Sequence, residues 1–178
     1  CERQYLENIR TVKMFQSTHP CGVRRNMGYN LSSRSMKNLE GVDANLVKVV
    51  QLAIQLSKQD FMVLEGVRSR EQCMVNYGKG RTVAQCTAKG IPEKYAQPKL
   101  NKVTWLNDPF SSKHCYGKAV DLVPYPIDWN TLSKFDEIAK AMFQAAKQLG
   151  VSIRWGADWN SNGRPREKGE TDSPHFEI

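Results

Sequence analysis

No stretch of this 178-residue chain approaches the ~20 consecutive apolar residues that a bilayer-spanning helix needs, so stable membrane insertion is not expected. Residues 1–10 carry no apolar core of the kind a signal peptide has. A chain made in the cytoplasm and acting outside it would then need another route of release. The five cysteines (Cys1, Cys21, Cys73, Cys86 and Cys115) are odd in number, and no two stand at C-x-x-C spacing. That pattern argues against a dense disulfide framework and against a zinc ribbon. Mostly free thiols are the expectation, with one disulfide left open. Histidine is scarce as well, with three in all, and there are neither internal repeats nor a low-complexity tract.

What is present suits one globular domain. Apolar residues make up 40% and charged residues 25%, enough to bury a core at this length. The net charge of +8 draws a protein toward polyanions, whether nucleic acid or an anionic cell envelope. No nucleic-acid motif and no stripe of Lys/Arg with interleaved aromatics supports the first, so no nucleic-acid partner is expected.

Residues 1–26 lack clear periodicity and read as a tail or upstream extension. A helix from Tyr5 to Phe15 is the competing reading, and Met27 could be the natural start. Organised structure is expected from about Leu31. Leu46, Val49, Val50, Ala53, Ile54 and Leu56 mark an amphipathic helix capped by Asp43. Phe61–Leu64 reads as a buried strand. Ser69 and Gln72 fit a capping box for a helix that Gly78 ends. Residues 78–102 read as a long loop and Val103–Trp105 as a short strand. A strand over Ala119–Val123 precedes a long helix from Leu132 to Leu149, closed by Gly150. Val151–Trp155 and His175–Ile178 alternate as strands should. Helices and short strands mixed without βαβ regularity predict an α+β fold.

Two histidines lie beside carboxylates. His114 precedes Asp121 in Ser112-Lys113-His114-Cys115-Tyr116-Gly117-Lys118-Ala119-Val120-Asp121, and His175 follows Asp172 in Asp172-Ser173-Pro174-His175-Phe176-Glu177. A catalytic zinc ion takes about three ligands of this kind and leaves one position for water. His114, Asp121 and His175 meet that need if their strands are neighbours. A water so held also needs a base. Asp172, three residues before His175, is preferred for that role. Glu177, on the strand face of His175, is expected to orient a ligand.

The pattern Ser112-x-His114-x-x-Gly117-x-Ala119-x-Asp121 with Asp172-x-x-His175 resembles a zinc peptidase family. That family holds D-alanyl-D-alanine carboxypeptidases and the L-alanyl-D-glutamate endopeptidases of phage lysis cassettes. The likeness is closest to the phage enzymes. It extends to Leu31–Ser35, Leu39–Val42, Glu65–Ser69, Gly80-Arg81-Thr82, Val103-Thr104-Trp105 and Trp155-Gly156-x-Asp158-Trp159. The resemblance implies a small domain over 27–178 of the fold shared by the D-Ala-D-Ala peptidases and the hedgehog signalling domain, with a central mainly antiparallel sheet flanked by helices. It implies one Zn2+ on His114, Asp121 and His175, Asp172 as the catalytic carboxylate and Arg68 as a substrate-polarising group. Trp155, Asp158 and Trp159 are expected to line the substrate cleft, although core packing is the competing reading for the tryptophans.

The implied activity is cleavage of the peptidoglycan stem peptide between L-alanine and D-glutamate, by a phage or prophage endolysin reaching the wall after release. A D-Ala-D-Ala carboxypeptidase is the nearest alternative. A non-catalytic wall-binding module that keeps zinc for structure is the rival from another class, and retention of Asp172 argues against it. A monomer is the simpler expectation.

Overall fold

The helix expected after Asp43 forms as expected in the computed structural model, which describes residues 28–178. The tail at 1–26, the competing helix Tyr5–Phe15, the start at Met27, His19, Cys1 and Cys21 lie outside the described residues. A short helix α1 (Ser33–Asn38), capped by Ser32, leads into α2 (Ala44–Leu56), whose first turn is closed by the Asp43 carboxylate accepting from the Asn45 N–H. The apolar stripe Leu46, Val49, Val50, Ala53 and Ile54 is wholly buried. Each large aliphatic side chain so buried contributes about 1.5–3 kcal/mol.

Four strands make one antiparallel sheet: β1 (Phe61–Glu65), β2 (Ala119–Pro124), β3 (Arg154–Trp155) and β4 (His175–Glu177), in the order β1-β2-β4-β3. The long helix α5 (Leu132–Leu149) ends at Gly150 in the left-handed conformation, as expected, and packs with α2 to cover the sheet. Register decides which side chains meet those helices. Val63 stands opposite Leu122, and Val120 opposite Phe176, which in turn stands opposite Trp155. All five belong to the core. Because side chains alternate along a strand, Ala119, Asp121, His175 and Glu177 must face the other way. One sheet thus has an apolar side under two helices and a polar side left for chemistry.

The remaining elements depart from expectation in instructive ways. Ser69 caps α3 (Arg70–Gly78) by accepting from the Gln72 N–H. The stretch 78–102, expected as loop, holds α4 (Val83–Thr87), opened by a full capping box between Thr82 and Gln85, and a 3₁₀ turn at Glu93–Tyr95. The helix that Thr82 and Gln85 open is barely more than one turn, too short for an apolar period to mark it in the sequence. A second small core under this region gathers Tyr77, Cys86, Ile91 and Tyr95. Val103–Trp105 forms no strand, and the strand expected over Val151–Trp155 is confined to Arg154–Trp155.

The expectation of free thiols is corrected at one pair. Cys73 on α3 is joined to Cys115, in the 3₁₀ turn Lys113–Tyr116, by a disulfide across 42 residues, while Cys86 is free and buried. The spacing could not show this, because the packing of α3 on that turn is tertiary. The double substitution Cys73→Ser and Cys115→Ser should lower stability by about 4 kcal/mol on the loop-entropy relation for a loop of this size. A chemical-denaturation midpoint unchanged from the oxidised parent would contradict the cross-link.

Candidate metal centre and catalytic cleft

The polar face of the sheet carries the expected ligands because Asp121 on β2 stands directly opposite His175 on β4. His114 reaches them from the 3₁₀ turn before β2. Gly117 ends that turn at φ +67°, and a Cβ there would lie 2.4 Å from the Gly41 carbonyl oxygen. Only glycine fits both demands. The Gly117 carbonyl accepts from the Asp43 N–H at 2.8 Å, and the His114 carbonyl accepts from the Arg68 N–H at 3.0 Å. The turn is therefore fastened to the start of α2 and to the segment leaving β1.

Three atoms converge: His114 Nε2, His175 Nδ1 and Asp121 Oδ1. The nitrogens lie 3.1 Å apart and stand 3.2 and 3.3 Å from the oxygen. Among the described residues they form the one cluster of three His, Cys, Asp or Glu groups close enough to share an ion. Asp121 Oδ1 is buried, and neither imidazole is aligned to donate to it. The outer partners explain this. His114 Nδ1 lies 2.7 Å from the Gly66 carbonyl oxygen, and His175 Nε2 lies 3.1 Å from Glu177 Oε2. Each of those acceptors requires the proton on the outer nitrogen, which leaves lone pairs on the inner ones. Two lone pairs and a carboxylate aimed at one point suit a cation, and an N/N/O set suits Zn2+.

The electrostatics agree. Burial works to raise the Asp121 carboxyl, but the close approach and charge of His114 and His175 overcome it and hold it well below the usual range. Burial works to lower His175, yet Asp121 and Glu177 lift it to about 9. The pocket favours positive charge at the point where the three atoms meet.

A cleft of about 740 Å³ opens over this cluster, with Arg68, Trp159 and Asp172 among its walls. Asp172 is held by its own N–H on the Gly156 carbonyl at 3.2 Å, and its carbonyl accepts from the His175 N–H at 3.1 Å. Gly156 permits this closeness, since a Cβ there would lie 2.4 Å from the Asp172 carbonyl oxygen. Water reaches Asp172, but burial by the surrounding walls still raises its carboxyl, against the pull of His175. Arg68 is gripped by both oxygens of Glu65, and its Nη1 donates to Ser112 Oγ at 3.4 Å.

Two expected cleft residues lie elsewhere. Trp155 points to the helix side of the sheet, stacks on Phe176 and donates from Nε1 to the Ser173 carbonyl at 2.7 Å. It packs in the core, because its register partner is a core residue. Asp158 is buried, and its two oxygens accept from the Asn162 and Gly163 N–H groups. It shapes the loop after β3 and does not line the cleft. Trp159 does line it, with its ring 5.4 Å from that of His175 and the Arg154 guanidinium 5.0 Å from its centre. Sequence reasoning missed Glu65 as the clamp on Arg68, though Glu65-Gly66-Val67-Arg68 was singled out. It also missed the Gly66 carbonyl, which as a backbone group leaves no signal.

The chain matches the profile of the phage L-alanyl-D-glutamate peptidase family over residues 27–96 and 91–178. It is 36% identical over 158 residues to the L-alanyl-D-glutamate peptidase of Escherichia phage T5, covering 85% of this chain and 99% of that protein. It is also similar to the crystal structure of the Serratia marcescens L-Ala D-Glu endopeptidase ChiX, with a TM-score of 0.55 at 26% identity over 88% of this chain and 95% of that one.

Removing the outer partner of His175 tests how the inner lone pair is aimed. Glu177→Gln should weaken Zn2+ binding by roughly 10–100-fold, and His175→Ala should abolish it at micromolar metal. Competition with a chromophoric chelator reads both. Parental affinity in Glu177→Gln would mean that the ring is oriented without the carboxylate.

Proposed function

This chain belongs to the phage L-alanyl-D-glutamate peptidase family, and on that footing we propose that it is a zinc peptidase of peptidoglycan that cuts the stem peptide between L-alanine and D-glutamate. The observation that carries the reading is the convergence of His114 Nε2, His175 Nδ1 and Asp121 Oδ1 beneath an open cleft that Asp172 overlooks. In this reading residues 27–178 form the catalytic unit. Both relatives named above are L-Ala–D-Glu enzymes, which favours that bond over a D-Ala–D-Ala bond.

A zinc ion held by His114, Asp121 and His175 would supply Lewis-acid polarisation of the scissile carbonyl and activation of a water molecule. Asp172 takes a proton from that water as its oxygen bonds to the L-alanine carbonyl carbon. The carbon–nitrogen bond then breaks, and Asp172 passes the proton to the departing amine of D-glutamate. A carboxyl raised by burial suits both halves of this exchange, because its affinity for a proton lies nearer neutrality. Glu177 keeps the outer proton of His175 in place throughout. Arg68, clamped by Glu65 at the cleft wall, offers its remaining guanidinium edge to a substrate carbonyl or carboxylate.

Every group so used comes from one chain, so a monomer suffices. Among the described residues no helix is long and apolar enough to cross a membrane, which suits a protein made in the cytoplasm and released to the wall through a separate pore.

Digestion of purified sacculi should create new L-alanine carboxyl ends and D-glutamate amino ends, read by mass spectrometry. A chelator should stop the release and added Zn2+ should restore it. Asp172→Asn should keep stoichiometric zinc while losing about 10²–10⁴-fold in turnover. Full turnover in that variant would move the base elsewhere, and no new amine from the parent protein would leave a wall-binding module.

A further inference from the structure

Two motifs of the sequence, Gly80-Arg81-Thr82 and Val103-Thr104-Trp105, take no part in the chemistry above, yet the structure joins them. Arg81 is buried, 6% exposed, and its guanidinium lies 3.8 Å from the centre of the Tyr77 ring. One arm donates to the Tyr77 carbonyl at 2.6 Å and the other to the Thr104 carbonyl at 2.7 Å. Among the described residues no carboxylate pairs with it. A buried cation without a counter-ion is costly unless its donors are used, and here they are used on backbone. The effect is to hold the peptide unit just before Trp105. Thr104 Oγ1 then accepts from the Leu106 N–H at 3.3 Å and shapes the turn around the tryptophan.

Trp105 itself is 78% exposed. It lines the same cleft as Arg68, Asp172 and Trp159, and its neighbours Val103 and Leu106 are also exposed there. A fixed backbone carrying an indole that gains nothing from the core is a preorganised contact for something that enters the cleft.

The substrate's chemistry says what that is, and this step rests on the function proposed above. In peptidoglycan the L-alanine of the stem is the residue attached to the glycan through its lactyl arm. The group just before that L-alanine is therefore the lactyl-bearing sugar. The cleft of about 740 Å³ falls in the range that encloses a drug-sized ligand, more than an alanyl-glutamate unit needs. We propose that Trp105 is a specificity residue whose indole face receives the apolar face of the N-acetylmuramyl ring, and that Arg81 is the positioning residue that holds it at the cleft wall.

Two soluble substrates decide this: the stem peptide alone, and the same peptide with N-acetylmuramic acid on its L-alanine. The parent protein should prefer the sugar-bearing form in kcat/KM. Trp105→Ala, a surface change, should cut that preference roughly 3–10-fold, mainly through KM, and Trp105→Phe should retain most of it. Arg81→Met should cut the preference with Trp105 still present. A preference in Trp105→Ala equal to the parent's would overturn the inference while leaving the peptidase reading intact. An unaltered preference in a folded Arg81→Met protein would remove Arg81 from it. A parent inert toward both peptides would overturn the peptidase reading and this inference together.

Discussion

Two imidazole nitrogens and a carboxylate oxygen, all within 3.3 Å of one another, would repel if nothing positive stood between them. Much of the protein serves to hold them in that arrangement. The carbonyl of Gly66 and the carboxylate of Glu177 fix the outer protons of the two rings, so neither ring can relax by turning its N–H inward. The antiparallel register of β2 with β4 holds Asp121 opposite His175, and a one-residue slip of either strand would turn its own ligand residue into the apolar core. Packing of α2 and α5 on the far face makes such a slip expensive.

The division of the sheet into two chemistries explains how a small domain carries so polar a site. Val120, Leu122 and Phe176 are fully buried beneath the helices, while the residues between them face the cleft. Stability and reactivity are thus drawn from alternate positions of the same strands. Arg68 and its clamp Glu65 follow this rule, because β1 shifts register between Val63 and Glu65, where Glu65 comes opposite Asp121.

Much of this was legible in the chain. Asp43, Ser69 and Gly150 announced helix ends through capping chemistry, which is local, and the structure follows all three. His114, Asp121 and His175 were legible as a set because so few histidines compete with them. What could not be read were features made by tertiary approach. Trp155 and Trp159 stand four residues apart in one motif, yet strand register turns the first to the core and the path of the following loop puts the second in the cleft. The Cys73–Cys115 cross-link and the grip of Arg81 on Thr104 join segments 42 and 23 residues apart, and no spacing rule announces either.

The chain leaves the sheet after Trp155 and returns at His175, and at that neck Gly156 is hydrogen-bonded to both Asp172 and His175. Ala157 and Trp159 still pack on the core and on His175, but beyond them the loop is held by its own bonds among Asp158, Asn160, Asn162 and Glu167 and by Arg166 on Asp136. The neck bonds set the separation of Asp172 from His175, so changes confined to the exposed stretch 161–165 leave that separation untouched. Sequence change can therefore accumulate there, and an engineer seeking a graft point has a junction already closed by the scaffold.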